Sequence, residues 1–176
     1  MKVVKIETGD TYQNHTKVLE HIKNKFISDY EVSWSFSISI NDFYKKNNRF
    51  NYNSIIRENI PRENTHGVYL ISDSNSKTIL YVGMSGQIKK SDDGKYKNCG
   101  YDIRKRLVSS RGKDDEGKDI SSSDYFQLIM ERERIQSISI TILQTSNKIS
   151  PTYLESNILQ LIYSKTNSLP QWNNSF

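Results

Sequence analysis

The sequence predicts an α/β (α+β) fold in which a small, mostly antiparallel sheet is flanked by helices. Three strand-like stretches carry this prediction: an alternating segment at 32–40, a hairpin at 67–83 and an alternating segment at 137–143. Segments with helical periodicity precede, separate and follow these stretches. With 176 residues, 35% of them hydrophobic and 26% charged, the chain is long enough for one real core and is neither collagen-like nor wholly disordered.

The first 64 residues predict an N-terminal extension built from a helix and strand. The segment KVVKI at 2–6 is typical of a short strand, and residues 11–27 place Val18, Ile22 and Phe26 on one helical stripe. Apolar residues then alternate with serine over 32–40, which indicates a half-buried strand. Residues 41–64 are rich in asparagine, tyrosine and basic side chains, so they predict a polar connection or a short helix.

Residues 65–176 predict the main domain, which opens with a β-hairpin. Two strand-like segments, 67–72 and 78–83, are separated by the turn-forming residues DSNSK. A polar loop is expected over 86–100. A short helix follows, with Asp102 as its N-cap and Gly112 as its C-terminal stop.

The second half of this domain predicts a helix, a strand and a last helix. After an acidic loop at 113–123, DYFQLIMERERI is helical by pattern, and its Glu131 and Glu133 indicate a solvated face. SISITIL follows as an alternating strand. Ser150 fits an N-cap and Pro151 the first helical position of the last helix, where Glu155 lies at the edge of a buried stripe.

The charge is +5 and is concentrated in the middle of the chain. Residues 65–112 carry nine Lys or Arg against four Asp or Glu. Such a segment favours a polyanionic partner, nucleic acid first, with a plain solvated basic face as the alternative. No apolar run has the length of a membrane helix, the start is unlike a signal peptide, and Cys99 is the one cysteine. We therefore expect a reduced, cytoplasmic location and no membrane partner.

Five separated residues remain as candidates for chemistry once simpler sites are set aside. Cys99 has no accompanying Cys/His motif, and the three histidines lack metal-ligand spacing. The remaining set consists of Tyr69, Tyr81, Arg106, Glu155 and Asn173.

The segments around these residues resemble the motifs of the GIY-YIG nucleases. HGVYLI followed by LYVGMS resembles the two name-giving motifs, IRKRL the arginine helix, YLESNILQLI the glutamate helix, and LPQWN the ending with proline and asparagine. The resemblance covers residues 65–176 in the family's order. Within the family, the long insertion between Tyr81 and Arg106 and the tryptophan of LPQWN are similar to the type II restriction endonucleases.

The resemblance implies the GIY-YIG nuclease fold and a metal-dependent endonuclease acting on double-stranded DNA. Glu155 would be the ligand of Mg²⁺, with Mn²⁺ as a substitute, and Arg106 would bind a non-bridging phosphate oxygen. Tyr69 would position or deprotonate the attacking water, Tyr81 would bind the phosphate or orient the water, and Asn173 would brace the site. The products would carry 5′ phosphate and 3′ hydroxyl groups.

The identity of the general base stays open, because Ser110 stands where many members have histidine. His66, Lys77 and Tyr69 are the alternatives. Base reading is expected from 41–64, from 84–102 or from the acidic loop, since asparagine and arginine can pair bidentately with base edges. The DNA-binding candidates are Asn48, Arg49, Lys89, Lys90, Arg104, Lys105 and Arg111.

Three other functions compete with a type II restriction endonuclease. One is a structure-selective or mobile-element nickase that uses the same residues. Another is a catalytically silent DNA-binding module, and the third is a protein-interaction domain without affinity for DNA. A palindromic target would predict a twofold homodimer.

Overall fold

The computed structural model describes most of the chain from residue 32 onward and isolated positions before it. The described residues are 17, 20–22, 24–25, 32–46, 49–61, 65–109, 112–113, 116–146 and 148–174, with the backbone alone at 32–33, 45–46, 49–50 and 112–113. The described positions between 17 and 25 are helical, as predicted, and Ile22 is buried. The strand predicted at 2–6 and the stripe residues Val18 and Phe26 lie outside the described residues.

The strands with described bounds form one main sheet and three short two-stranded ribbons. In chain order they are β1 (Val32–Ser39), β2 (Lys45–Lys46), β3 (Arg49–Phe50), β4 (Gly67–Asp73), β5 (Ile79–Ser85), β6 (Gln87–Lys90), β7 (Tyr96–Cys99), β8 (Gly112–Lys113), β9 (Asp119–Ile120) and β10 (Ser137–Gln144). The main sheet has the order β1-β10-β4-β5 and is antiparallel throughout. The predicted class, a small antiparallel sheet flanked by helices, is therefore confirmed.

Four helices have described bounds, α1 (Asn51–Asn59), α2 (Ile103–Val108), α3 (Ser122–Glu133) and α4 (Pro151–Thr166). Helix α1 confirms the short helix that was one alternative for 41–64, and a single 3₁₀ turn, Ile40–Phe43, precedes it. None of the described helices is long and apolar enough to span a membrane.

Helices cover both faces of the sheet, and each face has its own buried cluster. One face packs against α1, α2 and α3 through Ile38, Tyr52, Ile56, Tyr69, Ile103, Leu107, Phe126, Met130, Ile140 and Trp172. The other packs against α4 and the N-terminal helix through Ile22, Val68, Leu70, Val82, Leu143, Leu154, Ile158 and Ile162. Successive residues of β4 enter opposite clusters, as the two-residue period of a strand requires.

The alternation predicted for 32–40 is confirmed in β1, where Ile38 is buried and Ser35 and Ser37 are exposed. This strand pairs with β10 along its whole length, so part of the predicted extension completes the same sheet as the main domain. The boundary at residue 64 stays a prediction.

Two local predictions were wrong. Residues 87–99 form the β6–β7 ribbon instead of a loop, because a tight turn with Gly94 at φ +78° reverses the chain. Helix α2 has the predicted cap, since Asp102 accepts the backbone N–H of Lys105, but it ends at Val108 and not at Gly112. It ends early because Ser109 is extended and its carbonyl accepts the hydroxyl of Ser122 at the start of α3.

Two further predictions about helices met mixed outcomes. Helix α4 begins at Pro151 as predicted, although Ser150 makes no side-chain capping bond. On α3, Glu131 is exposed, but the side chain of Glu133 is only 14% exposed. A solvated Glu133 was therefore a wrong prediction.

Candidate active site

The outer edge of β5 is paired with the C-terminal tail rather than left open. The carbonyl of Leu80 accepts the backbone N–H of Trp172 at 2.8 Å. Two residues further on, the side-chain amide of Asn173 donates to the carbonyl of Val82 and accepts its N–H, at 2.8 and 2.9 Å. The tail therefore covers a strand edge that would otherwise be exposed.

Further along the same edge of β5, the backbone of Met84 is bound by the side chain of Glu155. The N–H of Met84 hydrogen-bonds the carboxylate, which also interacts electrostatically with Arg106. Burial raises the pKa of Glu155 above its ordinary value, and both Arg106 and the Met84 N–H oppose that rise. Glu155 comes from α4 and Arg106 from α2, so helices on opposite faces of the sheet supply the two charges at one edge.

The two candidate tyrosines share one face of the β4–β5 pair. Tyr69 lies opposite Gly83 in the register, and its ring centroid is 5.8 Å from that of Tyr81. A Cβ atom at Gly83 would lie 2.4 Å from the Tyr81 ring and 2.8 Å from the Tyr69 hydroxyl, so glycine is required there. Tyr69 is 0% exposed, whereas Tyr81 is partly exposed.

An open cleft of about 680 Å³ begins where β5 ends. The Ser85 hydroxyl donates to the carbonyl of Tyr101 and joins the two walls. Arg106 and Lys105 line this cleft, and the other lining residues are Met84, Ser85, Gly86, Gln87, Cys99, Gly100 and Tyr101. The volume and the two cations fit a bound anionic group of small-molecule size.

The structure separates the candidates for the general base. Lys77 lies at the turn between β4 and β5, at the opposite end of the hairpin from Gly83. This position excludes Lys77 as the general base of a site beside Gly83. His66 is 4% exposed and packs against Gly86, and neither of its ring nitrogens has a partner among the described residues. Ser110 lies outside the described residues.

The predicted DNA-binding residues fall into two described groups. Lys89 and Lys90 are exposed on β6, where Lys89 lies directly opposite Lys97 of β7. Arg104 and Lys105 lie in the first turn of α2. Asn48, Arg111 and the side chain of Arg49 lie outside the described residues.

Sequence reasoning missed two features near the site. The indole N–H of Trp172 donates to Glu133 at 2.9 Å, and the Trp172 ring lies 6.0 Å from that of Phe126. Arg57 of α1 lines a separate cavity together with Arg104 and Lys105. Neither feature has a local signal, because each depends on the packing of distant elements.

Four of the five candidate residues lie in β4 or β5 or hydrogen-bond the β5 backbone, and the fifth, Arg106, interacts electrostatically with one of them. Tyr81 belongs to β5 and Tyr69 to β4, Asn173 and Glu155 bind the β5 backbone, and the charge of Arg106 acts on Glu155. Comparisons with protein-family models, with curated proteins and with solved structures found no match to this chain. Membership of the GIY-YIG family therefore stays a prediction from the motifs.

Proposed function

We propose that this protein is a metal-dependent endonuclease that hydrolyses phosphodiester bonds of double-stranded DNA. The observation that carries the proposal is the electrostatic interaction between Arg106 and Glu155 at the edge of β5, beside an open cleft that Arg106 lines. A guanidinium can bind a phosphate oxygen in a fork geometry, and a carboxylate is a hard oxygen ligand. Together they provide the two kinds of group that phosphodiester hydrolysis requires.

A magnesium ion fits Glu155 as its single protein carboxylate. The described residues contain no cluster of three or more His, Cys, Asp or Glu side chains that could enclose a metal. Magnesium commonly binds through one or two carboxylates and takes its other ligands from water and substrate phosphate. When bound at Glu155, with Mn²⁺ as a substitute, it would stabilise negative charge on the leaving 3′ oxygen.

The chain's own groups would then hold the reacting phosphate and water. Arg106 binds a non-bridging oxygen, and the positive charge it supplies stabilises the transition state. Tyr81 is the partly exposed tyrosine, so we assign it the contact with water or phosphate. The buried Tyr69 and Asn173 act as positioning residues, since one packs against Tyr81 and the other fixes the β5 backbone.

The class of endonuclease is proposed from the sequence. A type II restriction endonuclease agrees with the insertion before Arg106 and with the tail LPQWN. The β6–β7 ribbon is then the leading candidate for contacting DNA beside the cut, because it presents exposed Lys89 and Lys90. A homodimer on a palindromic site and a cytoplasmic location complete the proposal.

The experiment compares wild type with Glu155→Gln and Glu131→Gln on phage and plasmid DNA, with Mg²⁺, Mn²⁺ or chelator. Glu131 is the matched control because it is an exposed glutamate outside the cleft lining. Metal-dependent fragments from wild type and from Glu131→Gln, with a loss of at least about 10²-fold in Glu155→Gln, are expected. Thermal melting of each variant checks that the fold is retained.

The form of the products separates the competing functions. Discrete fragments establish sequence-specific cutting, whereas nicked circles or cutting at branches indicate a nickase. DNA binding without cutting under either metal indicates a DNA-binding module. Cleavage that is unchanged in Glu155→Gln overturns the assignment of the site.

A further inference from the structure

A second cavity, of about 370 Å³, lies between α1 and α2. Arg57 of α1 and Arg104 and Lys105 of α2 line it, together with Asp102 and Val108. Lys105 also lines the cleft that contains Arg106, so the two cavities adjoin at this one side chain. Arg57 has no part in the catalytic arrangement described above.

The charge of this cavity is unbalanced. Three cations face one carboxylate, that of Asp102, and an oxygen of Asp102 accepts the N–H of Lys105 as the cap of α2. Within the described residues, ion pairs join Lys97 to Asp93 and Arg132 to Glu133, and none involves the three cavity cations. Three like charges that share one counter-charge repel one another, so an anion bound between them would lower the free energy.

Buried contacts fix the relative position of the two helices that carry Arg57 and Arg104. The hydroxyl of Tyr52 on α1 donates to the carbonyl of Leu107 on α2 at 3.0 Å, and this bond is buried. Arg57 follows the buried Ile56, and Arg104 follows the buried Ile103. Because the backbone of each arginine is already fixed by this packing, only the side-chain entropy is lost when the guanidinium binds an oxygen anion.

The shared lysine favours a polyanion over an isolated anion. The Lys105 ammonium lies 4.1 Å from the centroid of the Tyr101 ring, which holds it between the two cavities. Two adjoining cationic sites suit a ligand that carries several phosphates, such as a nucleic-acid strand, whose binding is dominated by phosphate contacts.

We propose that the cavity of Arg57, Arg104 and Lys105 binds a backbone phosphate of the DNA next to the one that is cleaved. This inference rests on the proposed function in taking DNA as the substrate. It gives α1 a role in setting the position of the strand, with Arg57 as a positioning residue. The contact is to phosphate, so it carries no base preference.

The test measures binding of a short DNA duplex by fluorescence anisotropy, in chelator, over a series of salt concentrations. Arg57→Gln and Arg104→Gln are compared with Lys77→Gln, which also removes one exposed positive charge but lies at the far end of the hairpin. Losing one phosphate contact lowers the slope of log K against log salt by about 0.9. We expect this reduction in both arginine variants, no change in Lys77→Gln, and a retained slope in Arg57→Lys.

Other results would overturn the inference. The subsite would be refuted if the slope of log K against log salt were equal in wild type and both arginine variants. An equal reduction of this slope in Lys77→Gln would also refute it. Free phosphate could occupy the same cavity, so the protein and its Arg57→Gln variant are also titrated with inorganic phosphate. If Arg57→Gln abolished phosphate binding and left the DNA slope unchanged, the cavity would be a site for free anions.

The same data separate this inference from the proposed function, because binding is measured without metal. If wild type cuts DNA and the arginine variants bind DNA like wild type, the proposed endonuclease activity is supported and the phosphate subsite is refuted. If wild type never cuts DNA but the salt dependence of its DNA binding depends on Arg57 and Arg104, the phosphate subsite is supported and the endonuclease activity is refuted. Wild type that does not bind DNA overturns both.

Discussion

Asn173 pairs with Val82 as a neighbouring strand would. Its side-chain amide donates to the Val82 carbonyl at 2.8 Å and accepts the Val82 N–H at 2.9 Å. One residue earlier, the backbone of Trp172 pairs with Leu80. The C-terminal tail is therefore part of the structure that fixes β5, the strand that carries Tyr81 and meets Glu155.

Replacing Asn173 by alanine should loosen β5. The variant leaves both backbone groups of Val82 without their present partner, at a cost of about 1–3 kcal/mol in the free energy of unfolding. Denaturant unfolding measures the loss, and hydrogen exchange of the Val82 amide should become faster. Asn174→Ala is the control, because Asn174 is exposed and makes no side-chain hydrogen bond among the described residues. Equal exchange of the Val82 amide in both variants would contradict this role.

Gly83→Ala should destabilise the protein through a steric conflict with the two tyrosines. The new Cβ would lie 2.4 Å from a Tyr81 ring atom and 2.8 Å from two atoms of Tyr69. Overpacking of this kind costs about 1–3 kcal/mol. A double-mutant cycle with Tyr81→Leu checks the cause, because removing the nearer ring should relieve part of the loss. Strict additivity of the two substitutions would show that the conflict lies elsewhere.

The sequence predicted those parts of the fold that have a local period. Strand β1 alternates serine with apolar residues, and the hairpin of β4 and β5 has a polar turn between two apolar runs, so each element could be recognised alone. The β6–β7 ribbon could not, since its strands have four residues each and are mostly polar. The end of α2 also depends on a distant partner, the hydroxyl of Ser122.

The candidate site divides in the same way. Motif order identified Glu155 and Arg106, and the structure places them close enough for their charges to interact. Arg57 has no motif, and only the packing of α1 on α2 brings it to Arg104. Likewise, the amphipathic pattern of α3 assigned Glu133 to solvent because a helical period cannot reveal that Trp172 will pack against that turn.

In the metal-free protein, Arg106→Gln should raise the pKa of Glu155 further. Burial already raises this pKa, and Arg106 is the larger of the two effects that oppose the rise. A folded-state pKa above the unfolded value favours folding at acid pH, and this contribution disappears as the pH rises through the folded-state pKa. In Arg106→Gln the contribution should therefore persist to higher pH.

Titration of the Glu155 carboxyl carbon by NMR, in chelator, measures the shift directly. Lys105→Gln is the matched control, because Lys105 is the neighbouring cation in the cleft and is not one of the groups that shift the pKa of Glu155. An unchanged titration in Arg106→Gln, or an equal shift in Lys105→Gln, would show that the interaction across the edge of β5 is unimportant.

Substituting Tyr69 and Tyr81 separately by phenylalanine should distinguish a role in cleavage from a role in stability. Tyr69 is 0% exposed and packs beside Tyr81, so Tyr69→Phe should mainly lower stability, by about 1 kcal/mol for its buried hydroxyl. Tyr81 is partly exposed, so Tyr81→Phe should keep the melting temperature and lower single-turnover cleavage by about 10²-fold, the lower end for removing one hydrogen bond to the reacting groups. Cleavage with Mg²⁺ and thermal melting of both variants provide the two readouts. A larger loss of cleavage in Tyr69→Phe, at unchanged stability, would instead assign the attacking water to Tyr69 and require that the β4–β5 face open when DNA binds.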